Sequence, residues 1–182
     1  QNRIMNLQLQ LYIPDSVTTL IPAGKSTSEP FIVHNGEINT IRGNADKMRA
    51  REENMESEHL EGELYKSFGN QYRRSDSAML DNTLEFMVMS GMPLPLAVMI
   101  TIPEPWAQNA TMSQKIKDFY QYYATMMEPW DGPASILFSD GDILGAVLDR
   151  NGLRPSRYYI TDDDTLILLL RLVFWISRRR RS

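Results

Sequence analysis

The sequence contains no cysteine. That excludes disulfides, thiolate metal sites and a cysteine nucleophile within these 182 residues. Histidine is nearly as scarce. His34 has no acid partner within reach along the sequence and is assigned no catalytic role, and His59 lies in a charged stretch and is expected at the surface. Positive charge is not in excess: the net charge is −4, which favours neither nucleic acid nor an anionic membrane surface. No internal repeat is visible. No apolar run reaches the roughly 20 residues of a spanning helix. The nearest approach, residues 166–176, is interrupted by Arg171 and followed by four arginines at 178–181. Such a tail could lie at a membrane interface, but a membrane role is not expected. The chain starts at Gln1 with no signal-peptide pattern and is expected to be a stretch of a longer cytoplasmic protein. Its length suffices for one domain with a real core.

What is present divides into helical and then strand-like segments. Residues 1–30 read poorly as a folded unit, because Pro14, Pro22, Gly24 and Pro30 break any regular pattern. Residues 31–40 read as a strand entering an Asn-Gly turn, and the charged residues 44–65 as a helix with a solvated face. Ser75, Asp76 and Ser77 can cap a helix carrying Ala78, Leu80, Leu84, Met87 and Val88, with Gly91 as the stop. A second helix is expected over 95–102, ended by Pro103. A third starts at Ser113, presents Ile116, Phe119, Tyr120 and Tyr123 on one face, and runs to Pro129; its aromatics read as core. From Ala134 the period changes to two. Asp140-Gly141 separates strands over 135–139 and 143–148, Asn151-Gly152 separates the latter from 157–161, and a further strand starts near Thr165. Helices followed by an antiparallel meander predict the α+β class.

Asn35-Gly36 is the most informative pair. It fits the centre of a tight turn, where both residues need φ > 0. It also fits an oxyanion hole, because a side-chain amide beside an unhindered backbone N–H can donate two hydrogen bonds to one point. The surrounding residues 34–44, HNGEINTIRGN, closely resemble the glutaminase domain of the glutamate synthase large subunit family. Further blocks follow in that family's order: RARE at 49–52, SDSA at 75–78 with LDN at 80–82, PE at 103–104 with Trp106, MEPWDGP at 127–133, and LDRNGLRPSRY at 148–158. The ordered set spans about residues 31–168. Other type II glutamine amidotransferases share mainly the Asn-Gly and Ser-Asp-Ser elements.

The resemblance implies an N-terminal-nucleophile fold, an αββα sandwich of antiparallel sheets, present here in part. It implies a glutaminase in which an N-terminal cysteine attacks the glutamine side-chain amide, its own α-amino group serving as base. The ammonia reaches 2-oxoglutarate through a tunnel, with FMN and an iron–sulfur cluster held elsewhere in the full-length parent and no cofactor held in this segment. The implied partners are glutamine, the remaining glutamate synthase domains and a small reductase subunit. By the same resemblance Asn35 and Gly36 form the oxyanion hole and Asp76 binds the substrate α-ammonium; a helix cap is the alternative for Asp76. Asp149, Arg150 and Arg154 read as framework.

Upstream of the Asn-Gly strand the sequence departs from the family, whose arginine there binds the substrate α-carboxylate. Residues 5–17, back-translated with suitable codons and read one nucleotide earlier, become YESAVATVHSRFS, a family-like peptide. Residues 26–30, read one nucleotide later, yield AHPNR, and residues 169–177, read in the earlier frame, yield ASEVGVLDI. The expected organisation is therefore an out-of-frame or disordered segment over 1–30, a partial amidotransferase domain over 31–168, and an out-of-frame basic tail over 169–182. Lacking its nucleophile, the chain is expected to be inactive alone. The competing readings are a non-catalytic glutamine-binding remnant and a membrane-associated interaction protein acting through the basic tail.

Overall fold

The computed structural model describes residues 31–52, 54–55, 75–162 and 166–169. In chain order the elements are β1 (Ile32–Gly36), α1 (Ile41–Glu52), α2 (Asp76–Met89), α3 (Leu94–Thr101), α4 (Gln114–Tyr123), β2 (Ala134–Ser139), β3 (Leu144–Leu148), β4 (Arg157–Ile160) and β5 (Leu166–Leu169). The expected segment 1–30, His59 and most of the basic tail lie outside the described residues.

Local sequence accounts for the helix ends. The Ser75 side chain accepts a hydrogen bond from the Ala78 amide at 3.3 Å and caps α2. At the other end Gly91 takes φ 92°, and Met92 N–H donates to the Met87 carbonyl, a glycine-based stop. Pro93 and Pro95 sit at the start of α3, where a missing N–H costs no helical bond. The helix from Ser113 is shorter than expected. It ends at Tyr123, not Pro129, because the Tyr123 carbonyl is taken by both Met126 and Met127 amides in a closing turn. Its face is also narrower: Tyr120 is buried, but Ile116 is exposed.

Two antiparallel sheets form, which fits the α+β class. β1, β2 and β3 make one sheet in that order, with Asn35 opposite Ser135 and Ser135 opposite Leu148. β4 and β5 pair separately, Tyr158 opposite Leu168. The expected single meander is thus corrected. The Asp140-Gly141 hairpin exists, whereas Asn151-Gly152 connects strands of different sheets. The reason is local: the Asp149 carboxylate accepts from the amides of Asn151, Leu153 and Arg154 at 2.9–3.2 Å, so the loop closes on itself and not into a two-residue hairpin. The expected turn at Asn35-Gly36 is also corrected. Both residues remain in β1, held in register by β2, and the chain turns at Asn39-Thr40.

The core lies where α2 and α3 cover β2. Leu80 and Leu84 of α2, Leu94 and Val98 of α3 and Ile136 of β2 are fully buried. Among the described residues β1 has a ladder partner, β2, on one side only. On the other side α2 supplies carboxylates: Asp81 Oδ1 accepts from Ile32 N–H at 3.0 Å, and Asp76 Oδ2 accepts from Ile38 N–H at 3.0 Å. An unpaired backbone donor in a buried position would otherwise cost about 1–3 kcal/mol.

Burial pushes the Asp81 carboxyl up from 3.8 to about 7, against the lowering effect of the strand amides. The native state therefore holds a proton that the unfolded chain releases between those values. The contribution of Asp81 to stability is greatest at the acidic end of this window and falls as pH rises through it. Asp81→Asn, which keeps an acceptor for Ile32, should remove that decline. The difference in urea midpoint between the two proteins, followed from pH 4 to pH 8, measures it; parallel curves would assign the titration elsewhere.

Candidate active site

β1 ends in a close approach of backbones. Gly36 has φ 130°, a conformation that side chains disfavour, and a Cβ there would collide with the Pro133 carbonyl and stand 2.9 Å from Ala134 Cα. Gly132 is as tightly placed: a Cβ would meet the Glu37 carbonyl, with Asn39 N at 2.6 Å and Ile38 Cα at 2.9 Å. Thr40 N–H donates to the Asp131 carbonyl at 3.2 Å, and Asp131 N–H donates to Thr40 Oγ1 at 2.8 Å. The block at 34–44 and the block at 127–133 therefore build one another. Asn44, buried on α1, adds a bond from its Nδ2 to the Pro129 carbonyl at 3.1 Å.

The start of α2 meets this unit from the open side of β1. Asp76 is the first residue of the helix, where the dipole favours a carboxylate. Its Oδ1 accepts from Ser77 N–H at 2.8 Å and faces Ser77 Oγ at 3.4 Å. His34 Nε2 bonds to Ser77 Oγ and stands 3.6 Å from Asp76 Oδ1. The side chain of His34 is buried, and burial lowers its pKa despite the nearby Asp76, so the ring is neutral at physiological pH. The carboxylate beside Nε2 favours the proton there. Nε2–H then donates to Ser77 Oγ, the serine hydroxyl points to Asp76, and Nδ1, which has no partner among the described residues, is left as an acceptor and not as a stranded donor. Sequence reading missed this acid contact because 42 residues separate His34 from Asp76 and only the fold brings them together.

The other blocks converge as framework. Arg51 grips Glu128 with two parallel hydrogen bonds of 2.6 and 2.7 Å, joined by Lys47 at 3.3 Å, which holds the Glu128 carboxyl below its usual range. Arg154 Nε donates to the Pro133 carbonyl at 3.2 Å. Pro103, Trp106, Pro129 and Arg150, drawn from three blocks, line an apolar cleft of about 150 Å³ that shares no lining residue with β1 or α2.

A profile of the class-II glutamine amidotransferases matches residues 16–170. The chain belongs to the class-II glutamine amidotransferase family. Within it, the chain is similar to glutamate synthases. It is 51% identical over 146 residues to the glutamate synthase [NADPH] large chain of Bacillus subtilis, covering 75% of this chain and 9% of that protein. It is 50% identical over 139 residues to the glutamate synthase [NADH] of Saccharomyces cerevisiae, covering 75% and 6%. It is 49% identical over 139 residues to the ferredoxin-dependent glutamate synthase 1 of Arabidopsis thaliana, covering 74% and 8%. The chain thus spans less than a tenth of the length of these relatives.

For this amidotransferase chain, two outcomes follow from the geometry. Gly132→Ala should destabilise the fold by about 1–3 kcal/mol, because backbone and not a flexible side chain meets the new methyl; denaturant unfolding measures it. Since His34 is held neutral, its contribution to stability should fall as pH drops below 6.5 toward its depressed folded pKa, opposite in sign to that of Asp81. His34→Gln should remove that acid-side loss, and NMR titration of the wild-type imidazole should give a midpoint below 6.5.

Proposed function

We propose that this chain is part of the glutaminase domain of a glutamate synthase large subunit. The parent releases ammonia from glutamine and passes it to 2-oxoglutarate to form glutamate. The observation that carries this reading is the ordered set of blocks, within a region about 50% identical to three glutamate synthases; the blocks at 34–44, 75–78 and 127–133 meet at the end of β1. NADPH-, NADH- and ferredoxin-named relatives align equally well, so the similarity does not separate electron donors.

In this reading Asn35 Nδ2 and the Gly36 N–H stabilise the oxyanion of the tetrahedral intermediate. Removal of one such donor typically costs about 10²–10³ in rate. Asp76 receives the α-ammonium of glutamine. An ionised carboxylate has about four acceptor positions; the Ile38 amide and the Ser77 amide and hydroxyl occupy three, and the side chain remains 26% exposed. Among the described residues one position is left for a charge-assisted bond to the substrate. The two sheets are the partial counterparts of an N-terminal-nucleophile sandwich. Glutamine, the other synthase domains and a small reductase subunit are the partners, and a cytoplasmic location belongs to the same reading. Among the described residues no helix is long and apolar enough to cross a membrane.

The parent's iron–sulfur cluster requires cysteine ligands, and this chain has none. Its residues do not fit that group, and the 150 Å³ cleft is small for a flavin, which needs roughly 300 Å³ or more. No step here runs through either cofactor. The domain organisation remains that of an in-frame core over 31–168 between flanks read in another frame. The aligned share of 75% supports that extent, while the family match starts earlier, at residue 16. Sequencing independent source clones tests it, and uninterrupted codons at both junctions would sink the idea.

Without a thiol nucleophile, the purified chain should release no glutamine-dependent ammonia above a protein-free control. Preceded by an upstream segment that begins with cysteine, and with residues 1–30 replaced by the in-frame family-like peptide that restores the carboxylate-binding arginine, residues 31–168 should support release, and Asn35→Ala in that protein should lower kcat by about 10²–10³. Activity in the bare chain, or an unchanged kcat in that variant, would refute the assignment.

A further inference from the structure

The sequence contains two Asn-Gly pairs, and the fold treats them oppositely. Asn35-Gly36 lies in β1, in register with Ser135 and Ala134, with Gly36 pressed on the Pro133 carbonyl. Asn151-Gly152 lies in the loop between the two sheets. Both of its residues are exposed, Gly152 has φ 61°, and nothing stands within 4 Å of where its Cβ would be. Its amide donates to the carbonyl of the buried Asp149 at 2.9 Å, a single hydrogen bond that opens before the nitrogen attacks.

We propose that Asn151 is a site of spontaneous modification, where Gly152 converts the side-chain amide to an acid. The Gly152 backbone nitrogen, unhindered by a side chain, attacks Asn151 Cγ. The N–Cγ bond forms as the Cγ–Nδ2 bond breaks. The Gly152 amide proton passes to solvent, and Nδ2 takes up a proton and leaves as ammonia. Water then opens the five-membered imide at either carbonyl, giving an aspartyl or an isoaspartyl linkage. The balance is amide plus water to acid plus ammonia, with no redox change.

The site is placed where the product matters. The Asn151 amide is one of those held by Asp149, and the loop that Asp149 gathers also carries Arg154 to the Pro133 carbonyl. An isoaspartyl linkage inserts a methylene into that loop and displaces the amides from Asp149. A new carboxylate also stands two residues from an existing one. The same attack at Asn35 requires the β1–β2 ladder to open first, because the pairing fixes the Asn35 backbone away from the ring-closing geometry.

The full chain, incubated in mildly alkaline buffer and mapped by peptide mass spectrometry, tests this. Conversion replaces an amide NH₂ by OH and is read at each Asn-Gly pair separately. In native buffer Asn151 should convert at least about tenfold faster than Asn35, and in concentrated urea the two rates should converge. Ammonia should appear without glutamine, at no more than one equivalent per chain from this position, and Asn151→Gln should abolish that release. Native rates equal at the two pairs would overturn the proposal. So would an Asn151 that is stable in native buffer yet reactive in urea. Glutaminase activity would instead depend on glutamine and exceed one equivalent, so the two readings fail independently.

Discussion

The strand that bears Asn35 and Gly36 is held on one side by a sheet and on the other by two carboxylates. Asp81 takes the amide at its beginning and Asp76 the amide just beyond its end. Everything proposed for the site depends on this arrangement. A lone edge strand exposes donors that water, another chain or nothing must satisfy. Here α2 accepts from two of them, at Ile32 and Ile38, and its own N-terminus is thereby fixed beside the end of β1. The cost appears in Asp81, whose carboxyl is buried enough to hold a proton near neutrality. One helix thus uses the same residue type twice: a buried aspartate and a partly exposed one each accept from a backbone amide of this segment, and the second is the one proposed to meet substrate.

Much of this was legible in the sequence, for definite reasons. The start of α2 was readable because Ser75 is a capping residue, and its end because Gly91 can take positive φ. The β2–β3 hairpin was readable because Asp140-Gly141 supplies turn chemistry to a period-two pattern. The misreadings share a cause. Asn35-Gly36 and Asn151-Gly152 both carry turn chemistry, yet one lies within a strand and the other in a longer loop, because residues distant in sequence decide. Pro133 and Ala134 cover the first, and Asp149 gathers the second. The contact of His34 with Asp76 and Ser77 had no local signature at all.

The blocks that place the chain among the amidotransferases also have physical content. MEPWDGP makes structural contacts in this fold. Its Glu128 receives Arg51, its Asp131 ties Thr40, and its Gly132 admits the backbone of residues 37–39 without a gap. These residues thus shape the surface from which the proposed oxyanion donors project. A preorganised hydrogen-bond pair needs rigid support, and that support is mostly backbone against backbone.

The register of β1 has a kinetic side. Asn35 faces Ser135, so the strand finds its partner only across a loop of about a hundred residues. Contacts of that sequence separation form late, because loop closure must precede them. During synthesis from the N-terminus, the chain presents its Asn-Gly strand long before β2 exists. The helices between them have time to assemble first, with Asp76 and Asp81 already on one of them. The site is then completed by an arriving strand, and an incomplete chain ending before residue 134 would carry every proposed site residue and no sheet to hold them.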